Sequence, residues 1–187
     1  MEIRNQQSGF ALLMALIVVS VVVSIGLSVL DLTMKQVRLS TNSKDSETAF
    51  HAANAGLECA RYWRTTESDV MEVGGAITPD CFGVPTMTPV ITNLAGINAY
   101  VYEMEATWGV SSALRCSQMT ILVITSDLSA STTVNNMQTI MPGYPYGATK
   151  ECRPGARCTA ISVRGYSRSC GEITARGTVQ REVLLEL

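Results

Sequence analysis

The sequence predicts an α+β fold in which a long N-terminal helix packs on a C-terminal antiparallel β-sheet. Three observations predict it: an uncharged apolar run near the N-terminus, helical periodicity that continues beyond that run, and alternating or β-branched segments in the second half. The 187 residues suit one modest domain plus one extra element. The formal net charge of −2 gives no reason to expect bulk nucleic-acid binding.

The apolar run occupies residues 10–30 and contains no charged side chain. At a rise of about 1.5 Å per residue it spans roughly 32 Å, which is the thickness of the hydrocarbon core of a bilayer. A cleaved secretory signal has a shorter apolar stretch, of about 7–15 residues, and then a small-residue cleavage site. The run therefore predicts a membrane-inserted helix. Its orientation is left open because Arg4 lies before it and Lys35 and Arg38 lie after it.

The helix is expected to continue past the membrane and to occupy residues 10–64. No proline occurs before Pro79, and after Gly26 the next glycine is Gly56. Apolar residues recur in steps of three and four, which places them on one stripe of a helix. These residues are Phe50, Ala53, Leu57 and Ala60. We expect this stripe to cover one face of the sheet.

The rest of the chain divides into a connection and a sheet region. Residues 65–98 contain a Gly-Gly pair and three prolines, which predicts a loop region with little regular structure. Residues 99–187 contain four strand-like segments without crossover helices between them, which predicts an antiparallel sheet. The segments are 99–107, 119–125, 158–167 and 177–187, and the first places Tyr100, Tyr102, Met104 and Ala106 on one face.

Six cysteines predict up to three disulfides, as is usual in an exported domain. They are Cys59, Cys81, Cys116, Cys152, Cys158 and Cys170. Six cysteines allow 15 connectivities. Our hypothesis pairs Cys116 with Cys170 across two antiparallel strands, in a register that puts Ile121 near Gly165. Cys152 and Cys158 then close a short loop, and Cys59 joins the helix to Cys81.

The sequence offers no pattern typical of an enzyme, a metal site or a cofactor site. His51 is the only histidine, and no Cys-x-x-Cys pair is present, which argues against zinc. No glycine-rich phosphate loop or dinucleotide fingerprint occurs. Glu103 and Glu105 share one strand face, but such a pair is ordinary on a solvated surface. We therefore expect a protein without catalysis of its own and without a cofactor.

Two segments together resemble the type IV pilins and pseudopilins. The polar leader 1–9 ends in Gly9 and is followed by Phe10 and the apolar run, as in the class III leader of that family. The stretch 49–58, AFHAANAGLE, is similar to the AF-x-AA-x-AGLE stretch of PilX-like pilins. The resemblance implies a pilin-like fold. It also implies that a prepilin peptidase cuts between Gly9 and Phe10 and methylates the new amine of Phe10.

Met14 departs from the pattern of most of this family. Met14 is the fifth residue after the expected cut, where most members carry a glutamate. In the family, that buried carboxylate pairs with the terminal ammonium of a neighbouring subunit, and burying either charge alone is costly. An apolar residue here resembles PilX-type minor pilins and the K pseudopilins of type II secretion systems. The resemblance is compatible with a subunit at the filament tip and with one scattered along the filament.

The expected function is that of a non-catalytic minor pilin of a bacterial type IV pilus, which primes the filament or is incorporated into it. Its expected partners are other pilin subunits, the pilus assembly machinery, the prepilin peptidase and membrane lipid. We expect a single pass through the inner membrane before assembly, with the globular domain in the periplasm, and then an extracellular filament. The alternatives are a pseudopilin of type II secretion or DNA uptake, and a single-pass membrane-anchored binding domain.

One loop combines aromatic and basic residues that suit a ligand surface. It contains Tyr144, Tyr146, Lys150, Arg153 and Arg157. Seven basic residues stand against four acidic ones between residues 150 and 187. Cations beside stackable rings suit DNA, a host-surface glycan or another pilin subunit, which would serve DNA uptake, cell adhesion or assembly. The ordinary alternative is a solvated loop without special affinity.

Overall fold

The computed structural model describes residues 6–83, 88–111 and 113–187 of the chain. They belong to two compact units, Met1–Ser43 and Lys44–Leu187. The helices are α1 (Gln6–Thr66), α2 (Ser68–Glu72) and α3 (Met137–Ile140), with a 3-10 turn at Cys170–Glu172. The strands are β1 (Val90–Asn93), β2 (Ala99–Val110), β3 (Ala113–Thr125), β4 (Thr132–Val134), β5 (Lys150–Cys152), β6 (Arg157–Tyr166) and β7 (Gln180–Glu186).

The first unit consists of the N-terminal part of α1. All its side chains from Gly9 to Ser43 are exposed, and its most apolar window has a mean hydropathy of 2.9. Ser28 and Thr33 donate hydrogen bonds to the carbonyl oxygens of Ser24 and Val29, at 2.9 and 2.8 Å. These bonds satisfy the hydroxyl groups within the helix itself. The chain thus has one N-terminal helix long and apolar enough to span a membrane.

The bounds of α1 differ from the expected helix at both ends. The helix begins at Gln6 instead of Phe10 and ends at Thr66 instead of residue 64. Residues 1–5 of the expected leader lie outside the described part of the chain. Gly9 and Phe10 are therefore helical. A single glycine costs a helix only about 1 kcal/mol, which the flanking turns tolerate.

The second unit is built on a five-stranded antiparallel sheet in the order β1-β2-β3-β6-β7. A second sheet pairs β4 with β5. The long N-terminal helix and the antiparallel sheet confirm the expected α+β layout. The segment 65–98 was expected to be irregular, but it contains α2 and β1. Four residues are enough for β1 because β2 supplies its hydrogen-bond partners along one edge.

The expected strand pattern of β2 is confirmed on the face that meets α1. Tyr102, Met104 and Ala106 are buried there, and Tyr100 packs against the same core from a half-buried position. The adjacent strands contribute Met119, Ile121, Ile161 and Val163 to this core. A second cluster is formed by side chains that alternate with those of the first along the strands. In it, Leu122 and Ile124 pack with Met137 and Met141.

The face of α1 that lies in the core is narrower than the expected stripe, and its side chains are smaller. Ala49, Ala52, Ala53 and Ala60 are fully buried, whereas Phe50 is 50% exposed. The expectation that Phe50 covers the sheet is therefore wrong. The physical reason is the close approach of α1 to the sheet, which leaves room for methyl groups and excludes a phenyl ring.

Candidate functional site

The residues of the expected processing site lie on an uncovered stretch of apolar helix. Phe10 is 65% exposed and Met14 is 50% exposed. A Cβ atom added at Gly9 would meet nothing within 4 Å. Exposure of apolar side chains to water costs about 25 cal/mol of free energy for each Å² of apolar surface. The cover for this helix therefore has to come from lipid or from another protein.

The contact between α1 and the sheet depends on two glycines and one serine. A Cβ atom on Gly165 of β6 would collide with the main chain of Ala49 and Ala53 in α1. A Cβ atom on Gly56 would lie 2.7 Å from Cγ1 of Val163. Ser117 of β3 donates a hydrogen bond to the carbonyl oxygen of Ala52 at 2.8 Å. The helix and the sheet are thus held at a distance that no larger side chain at either glycine permits.

The three disulfides join the same cysteines as in our hypothesis. They are Cys59–Cys81, Cys116–Cys170 and Cys152–Cys158. The first ties the second half of α1 to the segment that follows α2. The third closes the short connection between β5 and β6.

The strand register expected around Cys116–Cys170 is wrong. Cys116 lies opposite Tyr166, and Ile121 lies opposite Ile161 rather than near Gly165. Cys170 follows the end of β6 in a 3-10 turn, where its amide donates a hydrogen bond to Thr107 Oγ1 at 3.0 Å. The turn brings Cys170 back to a Cα–Cα distance of 4.8 Å from Cys116. A disulfide constrains that distance and leaves the strand register free.

The potential metal ligands among the described residues are already engaged or isolated. The one grouping of three in that part of the chain is Glu105, Cys116 and Cys170, in which the two thiols form a disulfide. His51 is exposed on α1, with Nε2 3.7 Å from a carboxylate oxygen of Glu47. The Glu105 carboxylate accepts a hydrogen bond from Gln118 Nε2 at 3.1 Å, and one such carboxylate and one exposed imidazole do not form a chelating set.

Three side chains of the expected ligand loop, Tyr144, Tyr146 and Lys150, lie close together in the structure. Tyr144 and Lys150 point inward. Tyr144 is 4% exposed, and its hydroxyl donates a hydrogen bond to the carboxylate of Glu186 in β7. Lys150 pairs with the same carboxylate at 2.8 Å. Tyr146 is 68% exposed and meets Tyr144 edge-on, with 5.6 Å between ring centroids. The loop is thereby attached to the last strand, and Tyr146 alone of its two rings is available to a ligand.

Arg157 takes part in a different cluster. It lies 3.1 Å from Glu72 of α2, and Glu72 also pairs at 3.0 Å with Arg64 of α1. The Arg64 and Glu72 side chains are only 9% and 8% exposed, and Arg64 Nε donates to Thr159 Oγ1 at 2.9 Å. Arg153 is exposed. The expected single patch of rings and cations is therefore divided, because internal carboxylates engage Lys150 and Arg157.

Burial and hydrogen bonding shift three titratable groups in these clusters. Burial, then the hydrogen bond to Glu186, raises the pKa of Tyr144 above its ordinary range. Burial alone would raise the pKa of Glu186, but the hydrogen bonds from Lys150 and Tyr144 lower it below the usual value. Burial raises the pKa of Tyr102 to about 12. The Tyr102 hydroxyl donates to the carbonyl oxygen of Gly75 at 2.9 Å.

The residues that hold these clusters together belong to no recognisable motif in the sequence. Glu72 and Glu186 accept from the basic residues, and Gly165 sets the helix–sheet distance. Glu72 and Glu186 are ordinary charged residues in sequence, and their partners are distant along the chain. Gly165 interrupts a β-branched strand, and such a glycine is a recognised signal for close backbone approach.

Comparison with known proteins gives no further assignment. No family model matches the chain, and no significant match was found among the curated proteins or the solved structures.

Proposed function

We propose that the chain is a minor pilin of a bacterial type IV pilus, a structural subunit without catalysis of its own. The observation that carries the proposal is the helix α1. Its N-terminal part is apolar and uncovered, and its C-terminal part packs through alanines on an antiparallel sheet braced by disulfides. The leader that ends at Gly9 and the AFHAANAGLE stretch supply the resemblance to this family.

The uncovered helix suits two successive environments. Before assembly it would lie in the inner membrane, with the second unit in the periplasm. After cleavage at Gly9 and methylation of Phe10, the same apolar surface would pack against the helices of other pilin subunits in an extracellular filament. Either environment removes the large exposed side chains from water, which is the main favourable contribution to both states.

Met14 supports a position at or near the end of the filament. A methionine cannot pair with the terminal ammonium of a neighbouring subunit, and a buried ammonium without a partner is costly. A subunit with an apolar residue at this position is therefore best placed where it has no such neighbour above it. The same residue also suits a pseudopilin of type II secretion or DNA uptake, which is the second candidate.

The decisive experiment is to determine the mature N-terminus. The full chain and its Gly9→Val and Gly26→Val variants are expressed in a bacterium that has a prepilin peptidase and pili. Mass spectrometry then examines the membrane fraction and sheared filaments. An added Cβ atom meets nothing within 4 Å at either glycine, so Gly26→Val is a matched control for helix packing in the chain.

We expect N-methylated Phe10 at the N-terminus of the wild-type chain and of Gly26→Val, and the mature chain in sheared filaments. Gly9→Val should retain the leader. An intact leader on the wild-type chain would contradict the proposal and favour a membrane-anchored binding domain. Processing without incorporation into pili, together with loss of secretion or DNA uptake in a deletion mutant, would favour the pseudopilin.

A further inference from the structure

A polar cleft opens in the second unit at one end of the main sheet. It lies between the turn that joins β1 to β2 and the loop that follows β3. Its volume of about 450 Å³ is within the range of small-molecule sites. The side chains that characterise its lining are Asn93, Asn98, Tyr100, Asp127, Ser131 and Thr133.

The lining offers hydrogen-bonding groups with little charge. It contains amides, hydroxyls, the half-buried Tyr100 and a single carboxylate, that of Asp127. No lysine, arginine or histidine is present among the described residues that line it. Asn93, Asn98 and Asp127 are exposed, and within the same described ranges no hydrogen bond or ion pair joins their side chains to the protein. Their donors and acceptors are therefore free for a ligand.

The walls of the cleft are fixed by the main chain. The Thr125 amide donates to the carbonyl oxygen of Asn98 at 2.9 Å, which joins the two walls at the end of β3. The Gly155 amide donates to the carbonyl oxygen of Asp127 at 2.8 Å, from within the loop closed by Cys152–Cys158. A preformed site loses less entropy when a ligand binds.

A buried hydroxyl beside the cleft has no partner in the described structure. The Thr125 Oγ1 atom is buried and forms no hydrogen bond with any described residue. Thr125 is joined to two lining residues, since its amide donates to Asn98 and its carbonyl oxygen accepts from Thr132 Oγ1 at 3.3 Å. Thr125 itself does not line the cleft, so this hydroxyl belongs to the wall behind the cleft.

We propose that this cleft binds a neutral saccharide. Amides and hydroxyls both donate and accept, a lone carboxylate accepts from a pair of sugar hydroxyls, and the half-buried Tyr100 ring offers a surface for the apolar face of a pyranose. One carboxylate is too few for a calcium ion, which takes six to eight oxygen ligands. Asp127 and the absence of lining cations disfavour an anion. This inference does not depend on the proposed function.

The test uses the full chain in lipid nanodiscs and saturation-transfer NMR with four probes, the methyl glycosides of glucose, galactose, mannose and N-acetylglucosamine. The cleft variants are Asn98→Ala and Asp127→Asn, which retain the main-chain hydrogen bonds that fix the walls. The matched controls are Asn135→Ala and Asp80→Asn, at exposed positions outside the lining. Empty nanodiscs measure adsorption of the probes to lipid.

We expect at least one glycoside to bind, with an affinity about tenfold or more lower in both cleft variants, as for loss of a hydrogen bond. Both controls should bind like the wild type. Absence of binding by all four glycosides would overturn the proposal, as would equal binding by the cleft variants. A calorimetric titration that detects calcium chloride or sodium phosphate binding, abolished in the cleft variants, would overturn it in favour of an ion site.

Discussion

Replacement of Gly165 by alanine is expected to destabilise the second unit strongly. The new methyl group would collide with the main chain of Ala49 and Ala53 and would lie 2.8 Å from the Cα atom of Ala53. A main chain inside a helix cannot rotate away as a side chain does, so α1 would have to move off the sheet. That movement would open the contacts of the buried alanines on the same helix face.

The expected cost is about 3 kcal/mol or more, at the upper end of the range for overpacking a core. Gly56→Ala is expected to cost less. Its methyl group meets the side chains of Val163 and Ser117, which have some freedom to shift. Alanine also gains about 1 kcal/mol over glycine in a helix, so the net cost at residue 56 is about 1 kcal/mol.

Thermal unfolding of the full chain in detergent, followed by near-ultraviolet circular dichroism of Trp63 and Trp108, measures these differences. Gly165→Ala should lower the midpoint by about 6–12 °C and Gly56→Ala by about 2–4 °C. Gly171→Ala is the control, because its methyl group meets nothing within 4 Å. The reasoning would be refuted if Gly165→Ala and Gly171→Ala unfolded at the same temperature.

Three further predictions concern the ion pairs and the disulfides. Glu72→Gln should cost about 3–5 kcal/mol in urea unfolding because it leaves the buried Arg64 guanidinium without its carboxylate, and a cost within error of zero would contradict this. The folded-state pKa of Glu186 is lowered, so its stabilisation is present above the unfolded value of about 4.3 and is lost as the pH falls through the folded value. The stability difference between wild type and Glu186→Gln should therefore shrink on acidification, and a constant difference would refute the coupling. Serine replacement of Cys116–Cys170 should cost about 4 kcal/mol and that of Cys152–Cys158 about 2, because the loop-closure cost rises with the logarithm of loop length. The reverse order would contradict the loop-closure argument.

The general layout was predictable because it depends on local patterns. An uncharged apolar run has few alternatives to a membrane helix, and the alternation in β2 shows directly which side chains lie on one face. The segment 65–98 was less predictable. The short β1 has no strong pattern of its own, and it exists because β2 is beside it.

The ligand loop shows where prediction from composition fails. The sequence shows that Lys150 and Arg157 are near tyrosines, but it does not show that Glu186 and Glu72 lie beside them. These carboxylates are tens of residues away along the chain, and folding brings them to the basic side chains. The polar cleft was missed for the same reason, since its two walls are the separate turn at Asn98 and loop at Asp127.

The sequence by itself therefore determined the apolar helix and the antiparallel class of the sheet. The disulfide pairing agrees with the structure, although the register that suggested it does not. The helix and the sheet class follow from periodicity, composition and spacing, which act over a few residues or a few turns. The tertiary structure alone decided the register of β3 against β6 and the alanine face of α1. It also decided which carboxylates pair with Lys150 and Arg157. Each of these depends on the distance between elements remote in sequence, and Gly165 sets that distance by having no side chain.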